Sequence, residues 1–195
     1  MPNRNNTIKN CSYGPRGAGA EIEYAIADCV LGRLMVAGTK RGICFAAMGD
    51  SDDALVAELR VDYPLATIHH GSVNGSGGSH ENPIVRESLS TLARYVAGQS
   101  AMPDPPLDIR GTPFQSLVWL QLRAIPIGET RSYTEIARRI GRPRAIRAVG
   151  TANGANPVSI IIPCHRALRA SGHLGGYRWG LERKRLLLEM EANRR

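Results

Sequence analysis

The 195-residue sequence contains no run approaching the roughly 18 apolar residues that a membrane-spanning helix requires. Its first twenty residues are polar and lack the apolar core of a signal peptide. These two absences argue against a membrane-spanning helix and against export. We therefore expect a cytoplasmic protein with no membrane partner and with a flexible tail over residues 1–20.

Cysteine is scarce and scattered. The four cysteines include no C-x-x-C pair and no Cys/His pair at the spacing of zinc ligands. We therefore predict no metal site and no disulfide framework. Cys29 and Cys44 lie in apolar, strand-like segments and are interpreted as buried core residues, whereas Cys164 lies in a different context.

Acidic residues are nearly absent from one third of the chain. Between Arg131 and Arg185 twelve basic residues accompany only Glu135 and Glu182, a net charge of +10, while the rest of the chain carries −2. Arginine suits phosphate because its planar guanidinium presents a fork of donors. This concentration of charge predicts a polyanionic partner, and nucleic acid is the expected one.

Residue periodicity in the first half predicts a small α/β unit. Alternating apolar residues over 21–48 predict three short strands. Helical spacing predicts helices over 52–61 and 82–98. The Gly- and Ser-rich segment 71–80 is interpreted as a flexible loop.

The second half predicts a different architecture. A proline-rich linker over 103–106 precedes a possible strand at 107–110 and a helix over 112–124. The predicted fold class is therefore α+β, with a small α/β domain over 21–103 and a mostly helical domain over 107–195.

Two short helices in the second half predict a helix-turn-helix. Ser132 and Glu135 have the spacing of a capping box, which starts a helix over 133–140. Gly141 is the expected C-cap, and a second helix is predicted over 144–153. This pairing is by itself weak evidence, because helical hairpins are common.

The composition of the second helix favours contact with DNA. Small residues at helical spacing predict its packing face: Ala145, Ala148, Val149 and Ala152. Arginines and small residues form the opposite face: Arg144, Arg147, Gly150, Thr151 and Gly154. That face has no Asn or Gln placed to read the major groove, whereas small residues permit close approach in the minor groove. A tight helix crossing alone would explain the alanines but not the arginines.

An apolar segment over 158–162 predicts a buried strand that leads into Pro-Cys-His-Arg at 163–166. A cysteine at the end of such a strand is placed at a cleft. Arg166 and Arg169 add positive charge that favours the thiolate of Cys164.

His165 is a candidate base for the adjacent thiol. Because neighbouring side chains on a strand point to opposite faces, contact between Cys164 and His165 requires a turn at Pro163 or a bridging water. We favour the water-bridged relay, with a carboxylate orienting the histidine.

Two segments carry a family resemblance: N-P-V-S-I-I-I-P-C-H-R (156–166) and G-Y-R-W-G-L-E-R-K (176–184). They resemble the O6-alkylguanine-DNA alkyltransferase family, most nearly the C-terminal part of bacterial Ada-type proteins, and the resemblance runs from about residue 21 to the end. It implies a ribonuclease-H-like domain packed on a helical domain with a helix-turn-helix.

The resemblance also implies an activity. The methyl group of O6-methylguanine, and less readily of O4-methylthymine, would pass irreversibly to Cys164 after base flipping from double-stranded DNA bound through the minor groove. No cofactor is implied. A bacterial cytoplasmic protein, associated with the nucleoid when acting and monomeric when free, is expected.

The resemblance assigns roles residue by residue. Cys164 resembles the methyl acceptor, His165 the base that acts through a water, and Glu191 the carboxylate that orients it. Tyr133 resembles the tyrosine at the flipped base and its phosphate, and Arg147 the arginine that fills the vacated place in the duplex.

The remaining predicted positions surround these. Asn156 resembles the asparagine at the turn between recognition helix and active site. The loop over the alkyl group corresponds to Tyr177, Arg178 and Trp179, where the bulk of Trp179 would narrow the pocket. Arg144, Thr151 and Ala167 complete the predicted DNA- and substrate-contacting set.

Chemistry supports a single turnover, since a methyl thioether has no good leaving group and a spent cysteine is not regenerated. Three other classes stay open: a damage-binding protein without transfer, a DNA-binding regulator with a structural cysteine, and a Cys-His-Glu hydrolase with many turnovers. A damage-binding relative would lack the acceptor cysteine, and a hydrolase would not require the +10 segment. The sequence also leaves open whether the chain is part of a longer regulator.

Overall fold

A computed structural model describes residues 11–71 and 82–194. It divides into an N-terminal unit that ends at Arg110 and a C-terminal unit that begins at Gly111. The predicted α+β class is confirmed, since a small sheet dominates one unit and helices the other. Within the described residues no helix is long and apolar enough to cross a membrane. The loop predicted for 71–80 lies, apart from Gly71, outside these residues.

The N-terminal unit is a four-stranded sheet with two helices. Its elements are β1 (Glu21–Cys29), β2 (Gly32–Thr39), β3 (Gly42–Gly49), α1 (Asp52–Asp62), β4 (Thr67–His70) and α2 (Pro83–Val96). The strands lie in the order β3-β2-β1-β4, antiparallel except that β4 runs parallel to β1. The three predicted strands and both predicted helices are therefore confirmed. Nearly all of β3 is buried, which makes it the core strand of the unit.

Residues 11–20 differ from the predicted flexible tail, while residues 1–10 lie outside the described part. Tyr13 is buried, and the backbone N–H of Ser12 donates to the buried carboxylate of Asp108 at 2.8 Å. The predicted strand over 107–110 is also wrong. It is reduced to one parallel bridge between Leu107 and Ile43, because the prolines before it have no N–H to extend a ladder.

The C-terminal unit is mostly helical. Its elements are α3 (Pro113–Arg123), β5 (Arg131–Ser132), α4 (Tyr133–Arg139), α5 (Ile146–Gly154), β6 (Ala167–Leu168) and α6 (Leu181–Ala192). Trp119 is fully buried, and its indole N–H donates to the carbonyl of Ala152 at 2.8 Å, which ties α3 to α5. The predicted helix pair is present as α4 and α5, and Gly141 between them has the left-handed φ of 71° expected of a C-cap.

The strand predicted over 158–162 is wrong, although the segment is buried as predicted. It forms a run of turns with Ile160 at φ 68°. Asn156 closes the run, because its amide oxygen accepts from the Val158 N–H at 3.1 Å and its NH₂ donates to the Ile162 carbonyl at 2.8 Å. The Asn156 side chain thus satisfies backbone N–H and C=O groups that would pair with a neighbouring strand if the segment were a strand.

The packing face of α5 differs from the prediction. Val149, Ala152 and Asn153 are buried, whereas Ala148 is exposed. The spacing of the buried positions is still helical, but the buried side includes Asn153, which was not predicted there, and lacks Ala148, which was. A polar side chain therefore lies on the inner side of the helix that carries Arg147.

Candidate active site

Cys164 begins a short 3₁₀ turn, Cys164–Arg166, directly after the closed run of turns. The thiol is buried, with 2% of the residue exposed, yet it forms part of the wall of a cavity of about 490 Å³ within the C-terminal unit. Tyr133, Arg147 and Tyr177 contribute to the same wall. A nucleophile, two aromatic rings and an arginine of α5 therefore meet at one cavity.

The environment of the thiol has opposing effects on its acidity. Burial raises the pKa of Cys164, because it penalises the thiolate. A hydrogen bond from Asn156, the positive charge of Lys184 and a hydrogen bond from Tyr177 all act to lower the pKa. The thiol is thus protonated at rest but surrounded by groups that stabilise the thiolate once the proton leaves.

His165 and Arg166, the two residues after Cys164, form a buried cluster with Glu191. The Nε2 atom of His165 lies 2.9 Å from Oε1 of Glu191. Arg166 donates to both carboxylate oxygens, each at 2.8 Å, and to the Ile125 carbonyl at 2.6 Å. Glu191 is completely buried, but its hydrogen bonds satisfy both of its oxygens.

The cluster determines which histidine nitrogen carries the proton. Burial acts to raise the pKa of Glu191, but hydrogen bonds from His165 and Arg166 outweigh it and hold that pKa well below its ordinary value. Burial lowers the pKa of His165, so the ring is neutral at neutral pH. Because Glu191 is ionised, Nε2 of His165 must donate and Nδ1 is left as an acceptor.

The Nδ1 atom of His165 is buried and has no hydrogen-bond partner among residues 11–71 and 82–194. A direct hydrogen bond from the Cys164 thiol to this nitrogen is therefore absent from the described residues. The arrangement leaves the basic nitrogen available on the side of the ring opposite Glu191, as a water-bridged relay requires.

Arg166 does not act as expected from the sequence, because its guanidinium is engaged by Glu191. Lys184 supplies the positive charge that acts on Cys164 instead. Its ammonium is buried and donates to the carbonyls of Ala167, at 2.7 Å, and Leu174. Burial lowers the pKa of Lys184 to about 8. Lys184 was not among the predicted site residues, since nothing in the spacing of α6 indicates that its side chain reaches the site.

Ser159 was also missed. Its hydroxyl lies 2.7 Å from that of Tyr177, and the Tyr177 hydroxyl hydrogen-bonds to Cys164. Tyr177 was expected only in the loop over the alkyl group, but its hydroxyl also contacts the nucleophile. The two hydroxyls form a short chain that ends at the sulfur.

Tyr133 is positioned by local structure. A capping box between Ser132 and Glu135 starts α4 at this residue, and the parallel pairing of β5 with β6 brings that start beside the residues that follow Cys164. Gly175, at φ 70°, approaches so closely that an added Cβ would lie 3.1 Å from the Tyr133 hydroxyl. The loop after β6 therefore packs directly on the tyrosine ring.

The exposed side of α5 continues the cavity wall to the surface. Ile146, Arg147, Gly150 and Gly154 all contribute to the wall, and Arg147 is exposed. A Cβ added to Gly150 or Gly154 would meet no atom within 4 Å. The fold itself therefore does not require glycine at these two positions.

Several predicted residues lie beside the cavity rather than in its wall. Ala167 is buried in β6, and Trp179 packs its ring edge-on against Tyr177, with ring centroids 5.4 Å apart. Thr151 and Arg144 are exposed, the first on α5 and the second just before it. Arg178, in contrast, belongs to the wall. Any effect of Trp179 on pocket size would therefore act through Tyr177 and Arg178, the two wall residues that its ring contacts.

In the part of the chain that the structure describes, no group of three or more His, Cys, Asp or Glu side chains is arranged to hold a metal ion. The cavity wall supplies a buried thiol and two tyrosine hydroxyls. The neutral imidazole of His165 and the ammonium of Lys184 lie outside the wall, and the charge of Lys184 acts on the thiol.

Two family models together match most of the chain. The 6-O-methylguanine DNA methyltransferase, ribonuclease-like domain, matches residues 22–109. The 6-O-methylguanine DNA methyltransferase, DNA binding domain, matches residues 113–193. The chain belongs to the 6-O-methylguanine DNA methyltransferase family, and the resemblance noted in the sequence is thereby confirmed.

Individual relatives agree with this assignment. The bifunctional transcriptional activator/DNA repair enzyme Ada of Escherichia coli is 46% identical over 186 residues, which are 95% of this chain and 49% of Ada. The chain thus spans about half the length of that relative. A methylated-DNA–protein-cysteine methyltransferase of Mycolicibacterium paratuberculosis is 42% identical over 171 residues, 87% of this chain and 92% of the relative.

Solved structures agree as well. The crystal structure of Mycobacterium tuberculosis O6-methylguanine methyltransferase superposes with a TM-score of 0.69 at 39% identity, covering 89% of this chain and 94% of that one. The same TM-score is found at 40% identity for Mycobacterium tuberculosis OGT in complex with DNA, covering 88% and 94% of the two chains.

Proposed function

We propose that this protein repairs double-stranded DNA by transferring the methyl group of O6-methylguanine, and less readily of O4-methylthymine, onto Cys164 in a single irreversible turnover. One observation carries the proposal. The nucleophile and the arginine-bearing face of α5 contribute to the wall of the same cavity. A nucleotide rotated out of a duplex held against α5 would therefore arrive at the thiol.

The transfer itself is a displacement at carbon. The sulfur of Cys164 attacks the methyl carbon, a C–S bond forms, and the bond from that carbon to O6 breaks with its electron pair on the base. The thiol proton passes through a water to Nδ1 of His165, and the departing guanine takes up one proton. Glu191 holds the ring in the required tautomer and stabilises the imidazolium.

The surroundings of the thiol serve this step. Lys184 and the hydroxyl of Tyr177 stabilise the developing thiolate, while burial of Cys164 protects it from unproductive reactions. The product is a thioether, which offers no leaving group for regeneration. The protein is therefore consumed by the reaction and requires no cofactor.

DNA would be bound by the α4–α5 pair, with α5 in the minor groove. Gly150 and Gly154 have no internal reason to be glycine, so their missing side chains are explained by close approach of a partner. Arg147 is long, exposed and at the cavity mouth, which suits it to occupy the place of the flipped nucleotide. Flipping costs a few kcal/mol, and a cavity of this size lies in the ordinary range for ligand pockets.

A titration tests this function against its rivals. A fixed amount of duplex containing one O6-methylguanine is incubated with increasing amounts of wild-type protein, and the lesion that remains is measured. We expect one lesion removed for each protein molecule, and none removed by Cys164→Ser. Many lesions removed per molecule would contradict the proposal and favour a hydrolase. Tight binding with no removal would favour a damage-binding protein or a regulator.

A further inference from the structure

Asn153, a residue of the cavity wall, carries an unused hydrogen-bond acceptor on its side chain. The residue is 4% exposed, lies on the inner side of α5 and contributes to the cavity wall together with Cys164 and Tyr133. Its amide oxygen is buried and has no hydrogen-bond partner among the residues that the structure describes. A buried polar atom without a partner is costly, so its retention at the wall of a cavity indicates a ligand that supplies the missing donor.

The chemistry of the base identifies that donor. Methylation at O6 removes the proton from N1, so the ring nitrogens and O6 of O6-methylguanine are acceptors. The exocyclic 2-amino group is then the one hydrogen-bond donor on the base. Among the groups of this base, only that amine can donate to an acceptor in the pocket wall.

We propose that the amide oxygen of Asn153 accepts a hydrogen bond from the 2-amino group of the flipped base and thereby selects methylated guanine over bases that lack this amine. O4-methylthymine has no corresponding donor, so it would leave Asn153 without a partner in the complex. The inference rests on the proposed function, because it assigns a specificity role within the same site. Asn153 acts on binding and selection, and takes no part in the transfer of the methyl group.

The test compares two duplexes that differ only in this amine, one with O6-methylguanine and one with O6-methylhypoxanthine. Single-turnover rate constants are measured for wild type, Asn153→Leu and Asn153→Asp. Leucine matches the size of asparagine without an acceptor, and aspartate keeps the acceptor. Thermal unfolding of each variant is recorded alongside, and Asn153→Leu is expected to be at least as stable as wild type because it removes an unpartnered buried group.

We expect wild type to react about tenfold faster with O6-methylguanine than with the analogue, the effect of one buried hydrogen bond. In Asn153→Leu the ratio of the two rate constants falls towards one, through slower reaction with O6-methylguanine, while Asn153→Asp keeps the ratio. If Asn153→Leu reacts and retains the wild-type ratio, the inference is overturned although the proposed function stands. If wild type transfers no methyl group from either duplex, the proposed function itself fails.

Discussion

Gly150→Ala is expected to make the protein more stable and to weaken its binding to DNA. Gly150 lies inside α5, and a Cβ at this position would meet no atom within 4 Å. Alanine restricts the unfolded chain and favours the helix, so the substitution should add roughly 0.5–1 kcal/mol to the free energy of unfolding. For a chain of this length that corresponds to a rise of about 1–4 °C in Tm.

The same methyl group would stand on the face proposed to meet the minor groove. Inserting a methyl group into a close-packed contact costs about 1–3 kcal/mol, so the affinity for duplex DNA should fall roughly five- to a hundredfold. Binding is measured by fluorescence anisotropy in a Cys164→Ala background, where no transfer can occur, and stability by thermal unfolding.

Gly141→Ala is a matched control for the stability measurement. A Cβ at Gly141 would also meet no atom within 4 Å, but its φ of 71° lies in the left-handed region. Alanine at this position should therefore lower stability by roughly 1–2 kcal/mol. If Gly150→Ala bound DNA as tightly as the parent protein, the proposed docking of α5 in the minor groove would be refuted.

Three further predictions concern the arginine, the buried cluster and pH. Arg147→Ala should slow methyl transfer from duplex DNA by at least about tenfold and leave the reaction with free O6-methylguanine base unchanged. The reason is that only the duplex must release a stacked nucleotide. Equal slowing on both substrates would argue against an intercalating role. Glu191→Gln should lower the free energy of unfolding, measured in urea, by about 3–5 kcal/mol, since it leaves Arg166 buried without its counter-charge. A loss below about 1 kcal/mol would show that the ion pair between Glu191 and Arg166 contributes little to stability. The free energy of unfolding should fall as pH drops below 6.5, because the unfolded chain protonates His165 there and the folded chain does not. It should fall again as pH drops through 4.5, because the unfolded chain protonates Glu191 and the folded chain keeps it ionised. Urea midpoints that stay constant across both ranges would contradict these shifts.

Local signals in the sequence predicted the helix start at Tyr133 and drew attention to Cys164 and His165. The capping box at Ser132 and Glu135 starts α4 as expected, and it positions Tyr133 because helix caps depend on residues close in sequence. The Pro-Cys-His-Arg motif identified Cys164, which lies in the cavity wall, and His165, which contacts Glu191. Glu191 came from the resemblance alone, and its contact with His165 spans 26 positions of the chain.

What the sequence did not predict depends on contacts between distant residues. The run before Cys164 is apolar because it is buried, but Asn156 folds it into turns, which an apolar pattern does not distinguish from a strand. Lys184 contributes to the site only because carbonyls of Ala167 and Leu174 converge on its ammonium. Asn153 was overlooked for the same reason, since only the fold shows that its amide faces inward without a partner.

Mass spectrometry of the intact protein tests the central claim most directly. Wild type and Cys164→Ala are each mixed with excess duplex containing O6-methylguanine, and their masses are compared before and after reaction. We predict that wild type gains about 14 Da, the mass that a methyl group adds in replacing a proton, that the gain stops at one equivalent and that it maps to Cys164. A wild-type mass that does not change, or a gain that persists in Cys164→Ala, would contradict methyl transfer to this cysteine.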